Sequence, residues 1–289
     1  MNFTKLQGAG NDFILAEAED INQDWPQLAI AMCNRHFGIG ADGLLLLLPS
    51  GIADFRMRMF NPDGSEAEAC GNGMRCLAKY VVDKGLIPRK FEKTEEISVE
   101  TMAGIQKAKF HKTMGKLTKI QVSMGTPKFR AKDIPVVIGQ GAAGIKPMSS
   151  YQITVKDKEL LLDFVSMGNP HAIHFWHRSV SDFLLSRFGP EIEHHKIFPN
   201  RTNFEVAQVI NRRQIEARVW ERGARETLAC GSGACAVAVA AQIHGYVDNQ
   251  VDIKLPGGTL DVEWDGKGDV LLGGTAEIVF SGEWLLSQK

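Results

Sequence analysis

The chain has 289 residues, 33 Lys+Arg against 34 Asp+Glu, a formal net charge of −1 and 44% hydrophobic residues. That length accommodates two domains or one large one, and the balanced charge offers no general attraction for a nucleic-acid backbone or an anionic membrane. Five cysteines in a chain this long make no disulfide framework, so reduced thiols in a cytoplasm are expected.

From the N-terminus, MNFTKLQGAGNDF carries neither a basic head nor an apolar signal core, and secretion is not expected. The apolar runs Leu44 to Leu48 and Ala234 to Ala241 are far shorter than the roughly 20 residues that span a bilayer. Phe55, Met57 and Met59 alternate with Arg56 and Arg58, which predicts a half-buried strand. A Gly-rich loop follows. Then Met74, Leu77, Ala78 and Val81 recur at helical spacing, with Gly85 placed to stop the helix. EISVET near residue 97 and LTKIQVSM near residue 117 read as strands. Arg130 to Ser150, with Pro135, Gly139, Gly141 and Gly144, reads as a linker or excursion. YQITVKDKELLLDFVSM from Tyr151 reads as a hairpin turning at its charged centre. The run Ala234 to Ala241 is apolar all round, which suits a helix enclosed by protein. The stretch from Val251 to Phe280 predicts three more strands, and Val251 to Trp264 resembles Ile97 to Phe110.

These elements are organised by a repeat. Set beneath ARVWERGARETLACGSG, the segment MRMFNPDGSEAEACGNG places Met57 on Ala217 and Gly73 on Gly233, an offset of 160 positions at both ends with no gap. Arg58 meets Arg218, Glu66 meets Glu226, Cys70 meets Cys230, and further on Gly85 meets Gly245. The expected fold class is therefore α+β: two pseudo-symmetric domains, each a curled, mostly antiparallel sheet around a central helix. The halves are expected at residues 1–126, with Cys70, and 127–277, with Cys230, the tail 278–289 being free to return to the first.

Each half sets a cysteine in a Gly-rich turn at a helix start. Unsatisfied N–H groups and about half a positive charge gather there, so the thiol is expected to ionise more readily. The same N–H groups suit a carboxylate. If the halves face each other, Cys70 and Cys230 oppose across a cleft. Such a pair fits inversion of a stereocentre, in which one base removes a proton and an acid returns one on the other face. An electron-sink cofactor is not required, because helix N-termini stabilise the charge that develops. Cys33, Cys76 and Cys235 read as packing. No CxxC or close Cys/His pair supports zinc, and GAG at Gly8 lacks the dinucleotide pattern. A thiol redox or cysteine-nucleophile enzyme, and a binding protein without catalysis, remain alternatives.

GNDF at Gly10, FNPDGSEAEACGNG at Phe60, GNPH at Gly168, RTNFE at Arg201 and ERGARETLACGSGACA at Glu221 give a closer reading. In that order, from Asn2 to about Ser281, the sequence resembles the diaminopimelate epimerase family. The resemblance implies a cytoplasmic, cofactor-independent isomerase that interconverts LL- and meso-diaminopimelate for lysine and peptidoglycan synthesis, and a homodimer without nucleic-acid or membrane partners. It implies that Cys70 and Cys230 are the acid/base thiols. It places substrate contacts at Asn11, Asn61, Gly71, Asn72, Asn169, Asn203, Glu221, Arg222, Gly231 and Ser232, with His171 and Glu221 beside the reacting centre. A same-fold racemase or isomerase acting on another acid is the near alternative.

Asn amides offer both donors and acceptors to an amino-acid end, Arg222 suits a carboxylate and Glu221 an ammonium. Taken alone, each Asn also fits a turn residue bonded to its own backbone, Glu221 and Arg222 an exposed ion pair, and His171 a structural histidine. The sequence departs from the family pattern at Arg225, where Gly is commoner, at Gly43, where some members carry Gln, and at Gln7 and Ala9. Arg225 is read as an outward surface charge; pointing inward, it would bear on Cys230 and on substrate scope.

Overall fold

The structure, a computed structural model, describes residues 1–18, 23–67, 70–87, 96–113, 116–137, 148–156 and 158–285. The chain divides into two compact units, Met1–Ser123 with Gly273–Lys289, and Met124–Leu272.

The first unit runs β1 (Asn2–Gly8), β2 (Asn11–Glu17), α1 (Trp25–Cys33), β3 (Gly43–Leu48), β4 (Phe55–Phe60), β5 (Glu66–Ala67), α2 (Gly71–Asp83), β6 (Glu96–Thr101), β7 (Gly104–Thr113) and β8 (Lys116–Ser123). β1 pairs antiparallel with β2, β2 parallel with β3, β3 antiparallel with β4, β4 parallel with β6, and β6 antiparallel with β7. The second unit runs β9 (Met148–Val155), β10 (Lys158–Ser166), β11 (Pro170–Phe175), α3 (Leu185–Glu193), β12 (Asn203–Asn211), β13 (Gln214–Glu221), β14 (Arg225–Thr227), α4 (Gly231–Ile243), β15 (Gln250–Leu255) and β16 (Gly258–Glu263). From β10 the pairing repeats in the same order and sense: β10–β11 antiparallel, β11–β12 parallel, β12–β13 antiparallel, β13–β15 parallel, β15–β16 antiparallel. The repeat read from one loop and helix thus extends to whole sheets.

Each sheet wraps a helix. α2 packs on β1, β2, β3, β4, β7 and β8, and α4 on β10 to β13, β15 and β16. Met74, Cys76, Leu77, Ala78 and Val81 of α2 are all fully buried, so the stripe predicted for this helix is only part of its enclosed surface. α4 buries every residue from Gly233 to Ala241. Its small side chains let the sheet close around it, which the all-apolar sequence predicts.

The two helices also end alike. Gly85 (φ 65°) and Gly245 (φ 73°) take the left-handed conformation. In α2, Gly85 N–H donates to Val82 O and Leu86 N–H to Val81 O; in α4, Gly245 N–H donates to Gln242 O and Tyr246 N–H to Ala241 O. Both are glycine stops that satisfy the last carbonyls.

Three features differ from the sequence reading. The stretch after Val251 holds four strands rather than three, the last two being β17 (Leu271–Gly274) and β18 (Glu277–Glu283). A two-residue break after Gly274 separates what reads as one strand. β18 pairs antiparallel with β1. The segment from Arg130 is not simply a linker, because Ile134 and Val136 are buried in the core of the second unit with Phe164, Phe188 and Phe204; residues 138–147 lie outside the described ones. Finally, two further helices join the sheets: α1 packs on β3 and β4, and α3 on β9, β12, β13 and β14. α1 buries Trp25, Ala29, Met32 and Cys33, with Asp24 capping it through Gln27 N–H, and α3 buries Leu185, Phe188 and Ile192. Among the described residues no helix is long and apolar enough to cross a membrane.

Candidate active site

In both units the strand–loop–helix repeat delivers a cysteine to the cap of the enclosed helix. Cys70 is the N-cap of α2 and Cys230 the N-cap of α4, each with extended backbone. Gly73 N–H donates to the Cys70 sulfur at 3.4 Å, and Gly233 N–H to the Cys230 sulfur at 3.4 Å. A sulfur thus stands where Ser or Asp usually caps a helix. Cys70 is half-buried and Cys230 buried.

Around α2, Asn72 Nδ2 donates to Asn11 Oδ1 at 3.0 Å, and Asn11 Nδ2 donates to Asp42 Oδ2 at 2.8 Å. Asp42 also accepts from Asp12 N–H, and Arg35 bridges Asp12 and Asp42 at 2.6 and 2.7 Å. Burial alone would raise the Asp12 carboxyl, but hydrogen bonds from Arg35 and Lys5 outweigh it and hold the group at about 2. Asn11 and Asn72 are therefore braced by a charged cluster. Asn61 stands apart from this chain, bonded through Nδ2 to Ser65 Oγ at 2.9 Å in the turn after β4.

Around α4, Asn169 Nδ2 donates to Ser232 Oγ at 3.3 Å, and Ser232 Oγ lies 3.5 Å from the Cys230 sulfur. His171 is fully buried between Asn169 Oδ1, 2.9 Å from Nε2, and Glu205 Oε1, 2.7 Å from Nδ1. Asn203 is also buried. Its Oδ1 accepts Arg222 N–H at 2.8 Å, and its Nδ2 donates to Pro170 O at 3.0 Å. Glu221 accepts from Thr227 Oγ1, and among the described residues it forms no ion pair with Arg222. Among the described residues the exposed Arg222 guanidinium reaches only Asn200 O, at 3.3 Å.

Electrostatics correct one expectation. The helix start was expected to favour the Cys230 thiolate. Instead, burial first and then Glu221 and Glu205 push this thiol well above the ordinary cysteine value, outweighing Ser232 and Gly233 N–H. Burial likewise raises Glu221. Cys33, pushed up to about 11, and Cys76, pushed up to about 12, are buried thiols desolvated in the core. Among the described residues no group of three or more His, Cys, Asp or Glu is placed to hold a metal.

Arg225 is exposed with φ 65°, so its side chain points outward and its backbone sits in a region that favours glycine. Three supporting acids escape the sequence reading. Asp42 carries no pattern signal. Glu193 does its work through the fold, accepting Trp220 Nε1–H at 2.8 Å and Gly223 N–H at 2.9 Å. Glu205 does leave a trace, since NFEVA is a strand buried on both faces, where an acid is costly without a partner.

A family profile described as Diaminopimelate epimerase matches residues 3–130 and 164–279. A diaminopimelate epimerase of Pelotomaculum thermopropionicum is 46% identical over 98% of this chain and 99% of its own. One of Desulfovibrio desulfuricans is 45% identical over 99% of each. Among solved structures, a hydroxyproline epimerase of Agrobacterium vitis superposes with a TM-score of 0.71 at 16% identity, covering 98% of this chain and 91% of that one, which speaks for the fold. A duplicated sheet around a cysteine-capped helix, two such helices in one chain, and a match at this identity along both units lead to one statement: the chain belongs to the diaminopimelate epimerase family.

Proposed function

We propose that the chain is an isomerase that interconverts LL- and meso-diaminopimelate, with Cys70 and Cys230 as its two acid/base groups. The observation that carries this reading is the duplicated cap: each enclosed helix begins at a cysteine whose sulfur accepts an N–H from the first turn. Inversion needs a proton taken from one face of the α-carbon and another returned to the opposite face. A thiolate takes the first and becomes a thiol; the other thiol gives the second and becomes a thiolate. The two sulfurs exchange states with each turnover, so the same pair serves both directions. Negative charge that develops between these steps spreads toward the substrate carboxylate, where N–H groups at a helix start can receive it. No step calls for pyridoxal phosphate.

Asn11, Asn72, Asn169 and Ser232 are held beside the caps by their mutual hydrogen bonds, which suits recognition of fixed polar groups. Asn61, Asn203, Glu221 and Arg222 would serve the carboxylate and ammonium groups of the substrate, Arg222 with its exposed fork. The raised Cys230 thiol fits the proton donor of the resting enzyme. A homodimer is part of the proposal, tested by sedimentation.

Incubation with LL-diaminopimelate in D2O should place deuterium at one α-carbon without added pyridoxal phosphate. Cys70→Ser and Cys230→Ser should each abolish reversible epimerisation. A pyridoxal phosphate requirement, or full turnover by either variant, overturns the mechanism. Turnover of proline or hydroxyproline in place of diaminopimelate overturns the substrate.

A further inference from the structure

The two halves repeat in backbone and pairing, yet they differ beneath the helix caps. In the first unit Phe13 pairs with Gly43 and Leu15 with Leu45; in the second His171 pairs with Asn203 and Ile173 with Glu205. Phe13 therefore corresponds to His171, and Leu45 to Glu205. A β-carbon built on Gly73 would lie 3.1 Å from Leu45 Cδ2, and one on Gly233 would lie 2.7 Å from Glu205 Oε1, so both side chains occupy the same place under the first helical turn. All four are buried: Phe13, Leu45 and His171 completely, Glu205 to 1% exposure. An apolar pair in one half is a polar, hydrogen-bonded pair in the other.

Such a pair is costly unless it performs a task. A buried carboxylate must recover its hydration through partners. Glu205 Oε1 accepts from His171, but Glu205 Oε2 is buried with no hydrogen-bond partner among the described residues. Leu45 shows that the fold accepts a hydrocarbon at this position, so packing alone does not call for the acid. From Glu205 a continuous chain leads to the sulfur: His171 Nδ1 at 2.7 Å, His171 Nε2 to Asn169 Oδ1 at 2.9 Å, Asn169 Nδ2 to Ser232 Oγ at 3.3 Å, and Ser232 Oγ to Cys230 at 3.5 Å.

We propose that Glu205 is a positioning residue that fixes His171 and, through Asn169 and Ser232, the Cys230 sulfur, and so makes this thiol chemically unlike Cys70 in a chain whose halves otherwise match. Its role deepens the epimerase reading and rests on it. The charged groups that bear on Cys230 are Glu205 from β12 and Glu221 from the end of β13, with His171 of β11 reaching it through Glu205 and Asn169. Removing the Glu205 charge removes one of the two carboxylates that disfavour the thiolate.

The test uses the full-length protein with Glu205→Gln, Glu205→Leu and the double variant His171→Phe/Glu205→Leu, which installs the pair found in the first half. Alkylation by iodoacetamide is followed against pH, at Cys230 in a Cys70→Ser background and at Cys70 in a Cys230→Ser background. The Cys230 profile should move about one unit toward lower pH in each variant, the scale of one lost neighbouring charge, and the Cys70 profile should not move. In the otherwise unmutated enzyme, Glu205→Gln should lower kcat at least tenfold with KM within threefold. An unmoved Cys230 profile in a folded variant, or equal shifts at both thiols, overturns the proposal. Should Glu205→Leu fail to fold, Glu205→Gln and the double variant decide it. Wild-type protein that fails to epimerise diaminopimelate refutes the functional reading, while the two alkylation profiles still judge Glu205.

Discussion

Trp220 donates its indole N–H to Glu193 Oε2 at 2.8 Å, and its ring lies so close to Gly189 that an added β-carbon would meet ring atom Cδ2 at 2.4 Å. α3 is thereby clamped to the end of β13, from which Glu221 and Arg222 emerge. Gly189→Ala should cost about 1–3 kcal/mol, the usual penalty for overpacking a rigid site. Urea unfolding followed by tryptophan fluorescence measures it. Because the displaced strand carries Arg222, KM for diaminopimelate should rise more than kcat falls. A variant as stable as the parent would show that the indole moves freely.

Arg225 tests the opposite case, a residue whose backbone conformation suits glycine. Left-handed geometry costs a side-chain-bearing residue about 1–2 kcal/mol, and glycine returns part of this in chain entropy. Arg225→Gly should therefore raise the melting temperature by roughly 1–3 °C. Since the side chain is exposed, kcat and KM should stay within twofold. A large change in KM would show that this guanidinium takes part in recognition.

Asp12 links the first unit to pH. Its folded pKa of about 2 lies well below the ordinary value of an aspartate carboxyl. A depressed carboxylate contributes stability that is fully present above the unfolded value and is lost as pH falls through the folded one. Wild type should exceed Asp12→Asn in urea midpoint at pH 6, and the gap should narrow between pH 4 and pH 2. A gap unchanged across that window would mean that charge on Asp12 is not what braces Lys5 and Arg35.

Thiol reactivity gives a readout without substrate. Cys70 is half-buried, whereas Cys33, Cys76, Cys230 and Cys235 are buried. Limited iodoacetamide treatment of the native protein at pH 8 should label Cys70 first and Cys230 more slowly. Cys33, Cys76 and Cys235 should react only in denaturant. Peptide mass mapping assigns the sites, and early labelling of Cys76 would contradict its enclosure in α2.

What the sequence disclosed follows the same physics. The cysteine and glycine positions of the two caps were legible because they keep both residue type and spacing, as do the stops at Gly85 and Gly245. The enclosure of α4 was legible because nothing polar interrupts it. α1 and α3 carry helical stripes of their own, Trp25–Ala29–Met32 and Leu185–Phe188–Ile192, but they lie outside the repeat that organised the reading. The sign of the Cys230 shift was not available, since it depends first on burial and then on Glu221 and Glu205, and enclosure and strand pairing bring these about rather than proximity in the chain. His171 and Glu205 meet across parallel strands, and the first half supplies no polar counterpart to suggest that they should.

The pairing of β18 with β1 has a bearing on biogenesis. Met1 N donates to Trp284 O at 2.8 Å, and β18, which borders β1, follows every other described strand in the chain. As the polypeptide leaves the ribosome, Met124–Leu272 has all its strands before its neighbour does. The opening segment must wait, with one edge bare, until translation supplies its final partner.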